Sequence, residues 1–114
     1  MDIERWMERY QAEVLDAFGG RVRYIGLQGS YGRGEATEES DIDVVLILDR
    51  LDASDLQEYG CMLDALPERN RICGFVSGRE ELLAWEPSDL FQFCHDTVPV
   101  LGSLEPLLQE IGEE

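Results

Sequence analysis

The sequence predicts a small α/β (α+β) domain, a mixed β-sheet flanked by helices. Three observations carry that expectation. A helical stripe of apolar residues opens the chain, short β-patterned runs recur along it, and capping and turn signals separate those runs by helix-length segments. A length of 114 residues suits a single domain over 1–114, large enough for a core but not for a separate substrate domain.

Taken in order, Ile3, Trp6, Met7, Tyr10, Val14, Leu15 and Phe18 form one apolar helix face, and Gly19 and Gly20 stop the helix. Trp6 and Tyr10 read as core or interface. Arg21 to Gln28 is the first strand, and Ile42 to Leu48 is a second, apolar enough to be central. Ser54 and Gln57 form a capping box for a helix running to about Leu66, where Pro67 ends it. Arg71 to Ser77 is a third strand and Arg79 to Trp85 a short helix, with Ser77 and Glu80 as its capping box. Pro87 suits the first turn of another helix. Trp85, Phe91 and Phe93 form an aromatic cluster suited to core packing, or to stacking on a base. Val98 to Leu101 reads as an edge strand, because Pro99 cannot donate to a ladder. Leu104 to Ile111 would be a last helix.

Composition narrows the function classes. Twenty-five acids against nine arginines, with no lysine, give a net charge of −16. Long-range repulsion disfavours a nucleic-acid partner, whereas a small nucleotide escorted by Mg²⁺, a basic protein or a cationic small molecule is compatible. No run approaches the roughly 20 apolar residues of a membrane span, and the first residues lack the pattern of a signal peptide. Three cysteines (Cys61, Cys73, Cys94) without C-x-x-C spacing suit reduced thiols in the cytoplasm. The lone His95 beside Cys94 is a poor chelate, so a zinc site is not expected.

The segment from Gly29 to Leu48 holds the chemistry. Gly29 lets the backbone come close to a ligand, and Ser30 offers a hydroxyl and an N–H. If Tyr31 to Glu35 turn into a short helix, its first amides would face an anion. Asp41 and Asp43 alternate with Ile42 and therefore project from one side of the strand, with α-carbons about 6.6 to 6.8 Å apart. Both carboxylates can reach one hard cation or bracket a closely spaced pair. A surface loop with Ser40 or Asp41 turning the chain accounts for Asp41 but leaves Asp43 unexplained in a run of Val and Ile. The segment is neither a P-loop nor a dinucleotide fingerprint, for its glycine spacing is wrong and the P-loop lysine is missing.

Gly29-Ser30, ten intervening residues, and Asp41-x-Asp43 leading into apolar residues resemble the nucleotidyltransferase superfamily that includes DNA polymerase β. The likeness is to its minimal, single-domain branch (the MNT domain). It implies that Gly29 and Ser30 hold the β- and γ-phosphates of a nucleoside triphosphate, that Asp41 and Asp43 bind one or two Mg²⁺, and that Arg33 lies near the phosphates. A hydroxyl would attack the α-phosphorus in line and release pyrophosphate. Catalytic members carry a third carboxylate on a following strand. Here the matching strand has no acid, and Cys73 or Gly74 stands in that place. Glu80, Glu81 and Asp96 are more distant candidates.

The resemblance implies three functions. One is transfer of NMP, above all AMP from ATP, to a hydroxyl of a protein or small molecule. Minimal domains of this kind act beside a separately encoded helical HEPN protein, some as antitoxins that adenylylate it. The second is an antibiotic-modifying enzyme of the aminoglycoside or lincosamide type. The third is a weakly catalytic or inactive relative that binds nucleotide or partner only. Homo-oligomerisation stays open.

Overall fold

The computed structural model describes residues 2–32, 34–37 and 40–102. Helix α1 (Ile3–Phe18) starts at Asp2, whose carboxylate accepts from the Glu4 and Arg5 amides at 3.1 and 3.4 Å. It ends at Gly19, whose φ of 55° is the left-handed region that glycine enters at little cost. Strand β1 (Val22–Gln28) leads into a single helical turn, α2 (Gly29–Gly32). Strand β2 (Ile42–Leu48) follows, then helix α3 (Ala53–Asp64), strand β3 (Ile72–Gly78), helices α4 (Arg79–Leu83) and α5 (Pro87–His95), and strand β4 (Val98–Gly102).

The sheet order is β3-β2-β1-β4. β1 runs antiparallel to both β2 and β4, whereas β2 and β3 are parallel and joined through α3. The sheet is thus mixed, as the sequence predicts, and β4 lies at its edge. β2 is central and buried on both sides because each face carries its own apolar layer. Ile42, Val44, Leu46 and Leu48 meet Trp6, Tyr10, Val14 and Phe18 of α1 and Tyr59, Met62 and Leu63 of α3. Val45 and Ile47 pack on the opposite face with Tyr24 and Leu82, beneath Phe75, Trp85 and Phe93. Those three rings lie 5.2 to 5.7 Å apart, which fits the packing role expected of Trp85 and Phe93. Trp6 and Tyr10 stack at 5.4 Å, and the buried Tyr10 and Tyr59 hydroxyls meet at 2.7 Å.

Two predicted caps are different in the structure. Helix α3 begins at Asp52, not Ser54, and the Asp52 amide donates to the Asp55 carboxylate at 2.9 Å. Asp55 wins because Arg21 holds it with two bonds of 2.8 and 2.9 Å and buries it at the helix start. Helix α4 is capped by the Gly78 backbone, while the Ser77 hydroxyl donates to the Gly78 carbonyl, so Glu80 is not half of a capping box. The expected helix from Leu104 to Ile111 lies outside the described residues. Among the described residues no helix is long and apolar enough to cross a membrane.

Candidate active site

Strand alternation that sends Ile42 and Val44 into the α1/α3 core turns Asp43 to the other face, at the entry end of β2. Across the sheet Asp43 pairs with Gln28 on β1 and with Cys73 on β3. Paired residues on neighbouring strands share a face, so Gln28, Asp43 and Cys73 form a row. Gln28 is fixed from the side, for its amide donates to Thr97 Oγ1 at 2.6 Å and that hydroxyl donates to the Phe93 carbonyl at 2.6 Å.

Cys73 faces Asp43 across the β2–β3 register, and its thiol lies near enough to Asp41 and Asp43 to feel both charges. Desolvation first, and then the negative charge of these two carboxylates, pushes the Cys73 thiol above its ordinary range. The thiol stays neutral near pH 7 and is no substitute for a carboxylate as base or hard-metal ligand. The register also decides between the two sequence candidates for the missing acid. Cys73 occupies that place, whereas a Cβ on Gly74 would press on the Tyr59 ring on the helix side.

Gly29 lies directly against Asp43. Its φ is +67°, and a Cβ built there would collide with Asp43 Oδ2. The residue's freedom therefore serves its own left-handed turn and the placement of Asp43, in addition to the close ligand approach expected from sequence. Ser30 is the next residue of that turn, within the single helical turn α2. Arg33 lies outside the described residues. Glu80 and Glu81 stand on α4, and the exposed Asp96 accepts from the Gln92 amide at 2.9 Å at the end of α5.

One tie escaped the sequence reading. The Arg71 guanidinium, just ahead of β3, donates to the Ser40 carbonyl at 2.7 and 3.1 Å and to the Tyr31 hydroxyl at 2.9 Å. The only signal was its place two residues before Cys73. Among the described residues no three His, Cys, Asp or Glu side chains gather in a metal-sized cluster. The chain offers a pair of hard carboxylates, which suits Mg²⁺ because that ion completes its shell with substrate phosphates and water.

A glycine-serine turn meeting Asp43 at the entry of β2, with Asp41 just ahead of that strand, defines a class. The chain belongs to the nucleotidyltransferase domain family, whose model matches residues 7–95. It is similar to MJ0604 of Methanocaldococcus jannaschii, provisionally named a protein adenylyltransferase. That likeness is 32% identity over 79 residues, 63% of this chain and 79% of that one. It is also similar to the protein adenylyltransferase MntA of Thermococcus cleftensis, 37% identical over 62 residues, 51% of this chain and 61% of that protein. Among solved structures, a toxin-antitoxin with AMP-PNP superposes with a TM-score of 0.66 at 18% identity, over 93% of this chain and 83% of that one. A tri-AMPylated Shewanella oneidensis HEPN toxin in complex with MNT antitoxin gives 0.57 at 17% identity, over 96% and 83%. At such identities the structural likeness shows the fold.

Proposed function

We propose that this nucleotidyltransferase domain binds a nucleoside triphosphate with Mg²⁺ and transfers AMP to a hydroxyl of a protein partner of the helical HEPN type, as the antitoxin of a pair. The observation that carries the reading is the convergence of Asp41, Asp43 and the Gly29-Ser30 turn at one end of β2. The adenylyltransferase names of the two relatives support the donor, and the AMPylated toxin of the structural neighbour supports the acceptor class. The reducing cytoplasm suits such a protein, in which Cys61 and Cys73 are free thiols.

In this reading Gly29 and Ser30 receive the β- and γ-phosphates. Asp41 and Asp43 hold the metal, which supplies charge neutralisation to the polyphosphate when bound. The acceptor oxygen attacks the α-phosphorus in line, the bond to the bridging oxygen breaks, pyrophosphate leaves, and the hydroxyl proton passes to solvent. Cys73 favours a second reading, in which nucleotide binds readily and is transferred slowly, because a neutral thiol stands where a base and third metal ligand would serve. Incubation with ATP, GTP, CTP and UTP labelled at the α-phosphate, Mg²⁺ and a lysate of the source cell tests both. Label from ATP in one protein band supports transfer. Tight nucleotide binding without label in any band supports the second reading, and neither binding nor label refutes both.

A further inference from the structure

We propose that Arg71 is a positioning residue that holds the two halves of the nucleotide site in register. The Gly29-Ser30 turn and the Asp41/Asp43 pair are joined by a connection from Gly32 to Ile42 whose described residues (34–37, 40 and 41) form no helix or strand. The loop's hydrogen bonds include local ones: the Glu35 amide to the Ser30 carbonyl at 2.8 Å, the Ser40 amide to the Thr37 carbonyl at 3.1 Å, and the Thr37 amide to Ser40 Oγ at 2.9 Å. These bonds join residues of the connection to one another and to the turn before it. Arg71 comes from outside the loop and grips it at both ends.

One end of that grip is Ser40, the residue before Asp41, whose carbonyl accepts from Nε and Nη2 at 3.1 and 2.7 Å. The other is Tyr31, the residue after Ser30, whose hydroxyl accepts from Nη2 at 2.9 Å. A weaker contact runs to the Thr37 carbonyl at 3.5 Å, and Glu68 Oε2 lies 3.5 Å from Nη1. The side chain is only 16% exposed, so solvent competes poorly for these bonds. A guanidinium presents a rigid fork of five donors, whereas a lysine ammonium is a compact point on a flexible stem. The site needs the fork, because the acceptors belong to two separate parts of the chain.

This inference rests on the proposed nucleotide site, and the experiment separates the two. Mn²⁺·ATP binding is titrated calorimetrically for the wild type, Arg71→Gln and Arg71→Lys, with thermal melting of each in parallel. Partners that orient metal ligands typically change affinity by roughly 10- to 100-fold. Both variants should lose affinity in that range while melting within a few degrees of wild type. Failure of lysine to rescue shows that geometry and not charge is at work. Wild-type affinity in Arg71→Lys overturns the inference while leaving the site intact. No binding by the wild type overturns the site and the inference together. If neither Arg71 variant folds, Tyr31→Phe decides, since it removes one acceptor and keeps the cation: weaker binding supports the grip, and unchanged binding overturns it.

Discussion

Replacing Cys73 with Asp should convert a metal-poor site into a three-carboxylate one, and two opposed effects follow. The new carboxylate would stand across from Asp43 in the β2–β3 register and within the field of Asp41. At about 4 Å in water-like surroundings each like-charge pair costs ~1 kcal/mol, so two neighbours cost about 2 kcal/mol without metal. For a domain of this size, with an unfolding entropy of ~2.1 cal/mol/K per residue, that lowers the melting midpoint by about 8 °C. Mg²⁺ with a triphosphate should restore the midpoint, because the cation reverses the sign of the interaction. Turnover should rise at the same time, since general-base assistance is worth ~10²–10⁴-fold. The assay is label transfer from ATP to the acceptor protein, alongside melting in EDTA and in Mg²⁺·ATP. A variant that is destabilised in EDTA but not rescued by Mg²⁺·ATP would refute a metal between these strands. Rescue without faster transfer would show that the base belongs elsewhere. Brisk wild-type turnover abolished by replacing Glu80, Glu81 or Asp96 would identify where.

Three further outcomes are expected. Gly29→Ala places a β-carbon at a φ of +67° and against Asp43 Oδ2, so calorimetry should show at least about tenfold weaker Mn²⁺·ATP binding, with a backbone cost of ~1–2 kcal/mol read from melting. Binding and melting like wild type would refute the collision. Asp43→Asn, or chelation of the metal with EDTA, should weaken ATP binding by roughly 10- to 100-fold while circular dichroism stays unchanged, and equal binding by the double Asn variant at Asp41 and Asp43 would sink the metal site. At the far end of β2 the Arg21 guanidinium, ahead of a backbone bond from Asp52, holds the Asp55 carboxyl near a pKa of about 2, against an ordinary 3.8. The folded value lies below the unfolded one, so the stabilisation is complete above pH ~4 and is lost as pH falls towards about 2. Asp55→Asn should cost about 1–3 kcal/mol at neutral pH and flatten that acid limb of the melting profile. An unchanged limb would assign it to other groups.

The parts of the fold written in local pattern were legible. The α1 stripe, the apolar run of β2 and the proline of the edge strand each state their environment within a few residues. Pairing partners far along the chain were not legible. The start of α3 moved to Asp52 because Asp55 is held by Arg21, 34 residues away. Gln28 is fixed by Thr97, 69 residues on, and Arg71 grips Ser40 across 31. The choice between Cys73 and Gly74 needed the β2–β3 register, which a one-residue slip would have reversed. The Gly29 and Asp41/Asp43 signals were visible because each violates a local preference, two acids entering a strand and a glycine ending one. What the sequence hid was that the missing side chain of the one makes room for the carboxylate of the other.

Charge ties these pieces together. Arg5, Arg21, Arg50, Arg69 and Arg71 all face carboxylates of the chain itself. The chain has no lysine. A protein at −16 that commits so much of its positive charge to its own fold has little left with which to attract a polyphosphate. On the proposed function, backbone amides at the Gly29-Ser30 turn and a divalent cation on Asp41 and Asp43 would supply that attraction. On that proposed function such an arrangement would favour a small metal-bound nucleotide over a nucleic acid, whose backbone would meet the same negative surface along its whole length with no string of cations to release its counterions. The acidic surface and the paired aspartates would then, on the proposed function, be parts of one device: the surface would repel free polyanions at long range, and a metal on the aspartates would admit the one whose charge it offsets.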